Sequence, residues 1–108
     1  MERCVWRAWV VPGKIEEYIY RHDHIWPEMC QSFKEAGIRN YSIWNVGNEL
    51  FGYYECDSLE KSTNIRLANP ITQKWNEYMK DILIMDKDPV TGMPPVVKQV
   101  FLLDADKR

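Results

Sequence analysis

The sequence has no apolar run longer than four residues, so it offers neither a membrane-spanning helix nor the hydrophobic stretch of an export signal. It has no excess of positive charge. Fourteen Lys and Arg stand against 16 Asp and Glu, and a net charge of -2 gives no electrostatic footprint for a phosphate backbone, so nucleic acid is not an expected partner. Cysteine is scarce, odd in number and scattered at Cys4, Cys30 and Cys56, with no C-x-x-C. That usage fits free thiols in a reducing compartment and places the chain in the cytoplasm. Histidine is scarcer still. His22 and His24, two residues apart, are turned about 200° from one another on a helix, so they cannot share a metal there, and no cysteine lies at ligand spacing from either. A P-loop and a Gly-rich dinucleotide turn are also missing, as are internal repeats and low-complexity segments, so no metal and no phosphate-bearing cofactor is expected. The 108 residues have room for one domain, 1–108, large enough to hold a core without staples.

Aromatic side chains are plentiful, and their kind is informative. Five Trp and six Tyr outnumber three Phe, so most rings carry a hydrogen-bonding edge beside an apolar face. A pyranose asks for that combination, with C–H faces to stack and hydroxyls to bond; a Trp- and Tyr-rich core or dimer interface uses the same composition.

Residues 5–11 place Val5, Arg7, Trp9 and Val11 on one side and Trp6, Ala8 and Val10 on the other until Pro12-Gly13 breaks them, which predicts a first strand. From Ile15 the period lengthens, and Ile15, Tyr18, Ile19, His22, Trp26, Met29, Phe33 and Ala36 share a helical face that Gly37 ends. Pro27 removes an N–H inside that pattern and predicts a kink or restart near Trp26. Residues 40–46 and 50–56 read as a hairpin around a turn at 46–49. Asp57 with Glu60 predicts a capped helix to about Leu67; Asn69-Pro70 predicts a second, with Trp75, Tyr78, Met79, Ile82 and Leu83 as its stripe. Residues 86–95 read as loop, 96–103 as a last strand and 104–108 as a polar tail. The order β, α, β, β, α, β, with the fifth element split, predicts an α+β ferredoxin-like fold: a four-stranded antiparallel sheet with helices on one face. The other face carries Trp, Tyr, Val and Phe, so a second copy is expected to cover it, giving a homodimer of the dimeric α/β barrel kind.

Tyr18, His22 and Trp26 recur at helical spacing, placing a titratable group between two polar-edged rings. Such a helix can present a general acid-base to a cleft; an isolated His on an apolar face can equally be a core residue. The context of this one is specific. Glu17-Tyr18-x-x-Arg21-His22-x-x-Ile25-Trp26-Pro27-Glu28 is followed by Gly37-x-x-Asn40-Tyr41-x-Ile43 and by Gln73-Lys74-Trp75 with Tyr78-Met79. These blocks, in this order and from Arg3 to Phe101, closely resemble the L-rhamnose mutarotase family. The resemblance implies a cytoplasmic, cofactor-free dimer that interconverts the α and β anomers of L-rhamnose. It implies His22 as proton donor, with Tyr18, Tyr41 and Trp75 holding the sugar. One position departs: where the family pattern has two adjacent tryptophans, Asn76 follows Trp75, and this amide either bonds a sugar hydroxyl or is a solvated helix residue. Arg21 and Glu28, inside the first block, read as structural ion partners.

Anomer exchange opens the ring to the aldehyde, turns it about C1–C2 and recloses it, so a proton must move between the anomeric hydroxyl and the ring oxygen. One histidine near neutral pH suffices, with Tyr18 to orient or relay. Two further readings belong beside this one: a mutarotase for another 6-deoxy sugar such as L-fucose, and a non-catalytic ligand-binding dimer, since the fold alone decides no function. A small oxygenase or haem-handling dimer has only one helix-borne histidine in its favour.

Overall fold

The computed structural model describes residues 1–90, 92, 94, 95 and 97–103. Along the chain lie β1 (Glu2–Val10), α1 (Ile15–Asp23), α2 (Pro27–Glu35), β2 (Arg39–Val46), β3 (Glu49–Cys56), α3 (Leu59–Ala68), α4 (Pro70–Met79) and β4 (Leu83–Met85). The strands form one antiparallel sheet in the order β2-β3-β1-β4, with the helices on one face, so the ferredoxin-like expectation holds. Pro27 does restart the helix: α1 ends at Asp23, and Pro27 occupies the first turn of α2, where a missing N–H costs nothing. Gly37, at φ +76°, ends α2 in a Schellman arrangement, with Gly37 N–H donating to Lys34 O and Ile38 N–H to Phe33 O.

Two boundaries differ from the sequence reading. Ser58, not Asp57, caps α3 by accepting from Lys61 N–H (3.3 Å), and Asp57 instead pairs with Arg39 (2.8 Å). The larger correction concerns the last strand. Among the described residues of 96–103, 97–103 form no strand; the fourth strand is Leu83–Met85, which the sequence pattern had assigned in part to the α4 stripe. The helix ends at Met79, Ile82 O accepts from Val11 N–H (2.9 Å), and the next three residues already lie against residues 8–10 of β1. Val96 and the tail 104–108 lie outside the described residues.

The core sits between the sheet and the helices. Val10, Leu50, Met79 and Ile82 are fully buried, and Tyr18, Met29 and Trp75 close round them. A second cluster of Ala36, Ile38, Tyr54 and Cys56 packs under α3, and Trp6 and Phe33 border both. Gly52 makes that junction possible. It faces Trp6 across the β1–β3 ladder, and the indole atoms Cε2, Nε1 and Cζ2 occupy the space any β-carbon at Gly52 would need.

Candidate active site

α1 carries Tyr18 and His22, and its local sequence suits a helix that ends beside the cavity they line. Glu16 and Glu17 occupy its first turn, Arg21 and His22 its last, matching the helix dipole at both ends. Arg21 fixes that helix to the end of α4. Its guanidinium reaches Asp81 (2.9 and 3.2 Å), Glu17 (3.1 Å) and the Tyr78 carbonyl (2.8 Å), and lies over the Tyr78 ring. Arg21 is therefore the structural ion partner expected; Glu28 makes no ion pair among the described residues and lines an open groove with Gln31 and Lys74 instead.

His22 stacks on Tyr18 with ring centroids 4.2 Å apart and meets the edge of Trp75 at 5.5 Å. Its Nδ1 lies 3.0 Å from the Tyr18 carbonyl. A carbonyl only accepts, so in the neutral ring Nδ1 carries the hydrogen and Nε2 holds the lone pair. Burial pushes the His22 pKa below its ordinary 6.5, against the opposing pull of the Tyr18 carbonyl and of Asp23. At neutral pH the ring is uncharged, with a base at Nε2. Burial, reinforced by the nearby Tyr41 phenol, raises the Tyr18 pKa, so that hydroxyl stays protonated and can donate. His24 repeats the local geometry, stacked on Tyr20 with Nδ1 2.9 Å from the Tyr20 carbonyl, but on the exposed side of the helix.

A cavity of about 190 Å³ opens beside His22, lined from α1 by Tyr18, Ile19, His22 and Asp23 and from the sheet by Ile43, Asn45 and Leu50. It is below the usual range for drug-sized ligands and in keeping with a monosaccharide. Of the four sequence-predicted site residues, Tyr18 and His22 line it. Trp75, 8% exposed, stands behind His22 in the core and stacks edge-on with Trp26. Tyr41 lies beyond Tyr18 in the second cluster, where its hydroxyl accepts from Trp6 Nε1 (3.0 Å) and its ring packs on Phe33 and Tyr54. Asn76 is exposed on α4 and outside the cavity lining.

A one-residue bulge explains how β2 reaches the site. Arg39 pairs with Glu55 on the open face, but the register shifts before Ser42 pairs with Tyr53, and Asn40 takes the left-handed φ of +54° that asparagine tolerates. Asn40 Nδ2 holds the bulge by donating to Glu55 (2.7 Å). Beyond it Tyr41, Ile43 and Asn45 all turn toward the helices, and this shared parity is the signal by which Asn45, missed in the sequence reading, could have been found. Among the described residues no three His, Cys, Asp or Glu side chains gather as a metal would require.

A family model described as L-rhamnose mutarotase matches residues 3–103. An L-rhamnose mutarotase of Oceanobacillus iheyensis is 41% identical over 97 residues, covering 88% of this chain and 91% of its own. One from Phocaeicola vulgatus is 36% identical over 107 residues, covering 96% and 100%. The crystal structure of an L-rhamnose mutarotase from Formosa agariphila superimposes with a TM-score of 0.75 at 29% identity, covering 96% of this chain and all of that one. Tetracenomycin F2 cyclase from Streptomyces glaucescens, at 17% identity and a TM-score of 0.62 over 96% of this chain, shares the fold alone.

Proposed function

The chain belongs to the L-rhamnose mutarotase family, and we propose that it interconverts the α and β anomers of L-rhamnose with His22 as the proton-transferring group. The observation that carries this reading is the His22 imidazole, anchored through Nδ1 at the Tyr18 carbonyl and lining a monosaccharide-sized cavity. Nε2 takes the proton of the anomeric hydroxyl as C1=O forms. The C1–O5 bond breaks, its electrons go to O5, and the imidazolium returns the proton there. After rotation about C1–C2, the same ring takes the proton from O5–H and delivers it to O1 as the ring closes on the other face. His22 ends as it began, and acid-base assistance of this kind supplies about 10²- to 10⁴-fold.

Tyr18 and Tyr41 hold sugar hydroxyls in this reading, Tyr18 as the phenol that burial keeps protonated and Tyr41 as its neighbour, oriented by the Trp6 indole. Trp75 borders the sugar only where its indole meets His22, and holds the imidazole in place from the core.

The homodimer is part of the same proposal. The sheet face away from the helices carries exposed apolar side chains, with Trp44 69%, Val46 72% and Ile84 49% exposed, and residues 97–103 add Val100, Phe101 and Leu103 to the exposed apolar surface. A second copy buries both. No helix among the described residues is long and apolar enough to cross a membrane, and three free cysteines support a cytoplasmic setting.

Saturation-transfer NMR on equilibrated L-rhamnose tests the function: the wild-type chain should accelerate exchange between the anomeric protons, and more for L-rhamnose than for L-fucose. Exchange no faster than buffer would overturn the mutarotase reading, and a faster rate on L-fucose would move the substrate. Sedimentation at micromolar concentration should give twice 12.9 kDa; a monomer there removes the dimer.

A further inference from the structure

Asn45 is the one side chain on the sheet side of the cavity that can both donate and accept a hydrogen bond. Its companions there, Ile43 and Leu50, are apolar; opposite them α1 supplies Tyr18, His22 and the acceptor-only carboxylate of Asp23. One N–H of the Asn45 amide is taken by the Gly47 carbonyl (3.1 Å) in the two-residue turn that follows β2. That bond anchors the amide to the tightest part of the hairpin, next to the Asn45–Leu50 register pair, so its plane is set before any ligand arrives. The carbonyl oxygen and the second N–H remain, both in the plane of the amide. Such a pair suits two hydroxyls on neighbouring carbons, donating to one and accepting from the other.

We propose that Asn45 is a specificity-determining residue that grips a vicinal pair of ring hydroxyls on the sugar while His22 acts at its anomeric end. The proposal rests on the mutarotase reading above and names what that reading leaves open, which group of the cavity's own sheet lining orients the sugar. It also relocates the amide that the sequence suggested. Asn76 is exposed outside the lining, whereas Asn45, two residues from the motif's Ile43, is in it.

The test pairs a protein change with a substrate change. KM and kcat for anomer exchange are measured for the wild type, Asn45→Ala and Asn45→Ser on L-rhamnose and on analogues lacking the hydroxyl at C2, C3 or C4. Asn45→Ala should raise KM for L-rhamnose about 5- to 160-fold with kcat nearly unchanged, the loss expected for two neutral hydrogen bonds. Asn45→Ser, which keeps a donor and an acceptor on a shorter arm, should recover part of it. On an analogue missing one of the two gripped hydroxyls the Asn45→Ala effect should shrink, because that bond can be lost only once, whereas on the analogue that keeps both it should remain in full. A merely structural role would move the KM of every sugar by the same factor and lower the melting temperature with it. That result, or an unchanged KM for L-rhamnose in a wild-type-active background, overturns the proposal alone. A wild type inactive on all four sugars overturns the mutarotase reading and this proposal together.

Discussion

Replacing Gly52 by alanine asks one methyl group to share space with the Trp6 indole. The added β-carbon would lie well inside van der Waals contact of three ring atoms, all of them in the rigid indole bicycle, so the whole side chain must swing away. Overpacking of this kind costs about 1–3 kcal/mol. Moving the indole also breaks its bond to the Tyr41 hydroxyl, about 0.5–1.5 kcal/mol more. Against this, exchanging glycine for alanine in a strand lowers the entropy of the unfolded chain and returns about 0.4–1 kcal/mol. The net loss centres on about 2 kcal/mol, or about 10 °C in melting temperature for a chain of this size. Thermal unfolding at fixed protein concentration reads it directly. The decisive control is Trp6→Ala: with the indole gone, Gly52→Ala should become neutral or slightly stabilising. If Gly52→Ala costs the same in both backgrounds, or nothing in the wild type, the glycine is not there to admit the tryptophan.

His22→Ala should lower the rate of anomer exchange by about 10²-fold or more while the fold persists in circular dichroism, and His24→Ala should leave the rate unchanged. Because burial lowers the His22 pKa, the acid limb of kcat/KM should fall below pH 6.5; a midpoint at or above that value contradicts the buried neutral base. Over the same interval the unfolded chain gains a proton at His22 before the folded chain does, so stability should fall as pH drops from 6.5 through the lower folded value, and His22→Phe should remove that part of the loss in acid titrations. Arg21→Met should cost about 1.5–3 kcal/mol in urea unfolding, since the guanidinium bonds to two carboxylates and a carbonyl are all lost together. Asn76→Ala, on the exposed face of α4, should leave KM for L-rhamnose where it is.

The elements that were legible in the sequence are those whose signal is local. Pro27 stops one helix and starts another by its own chemistry, and Gly37 supplies the positive φ that the Schellman turn needs. Asn69 accepts from Ile71 N–H, as its place before Pro70 suggested. The last strand failed for the complementary reason. Residues 96–103 are rich in Val, Phe and Leu, but β-favouring composition says what a segment can do in a sheet and not which neighbour it finds; three residues, Leu83–Met85, are too short to show a period and still take the place beside β1. The site divides the same way. That Tyr18 and His22 line one cavity was legible because one helix carries both, whereas Asn45 joins that lining only through the bulge at Asn40, a three-dimensional fact that turns a polar strand residue to the helix side.

The brevity of β4 has a thermodynamic side. It covers residues 8–10 of β1, and residues 2–7 have no strand on that flank among the described residues. A row of backbone donors and acceptors in that position is a template for another strand. If what completes the row comes from a second chain, dilution itself becomes a denaturant: the melting temperature should climb with protein concentration by mass action, and the free energy of the fold has no value apart from the molarity at which it is measured.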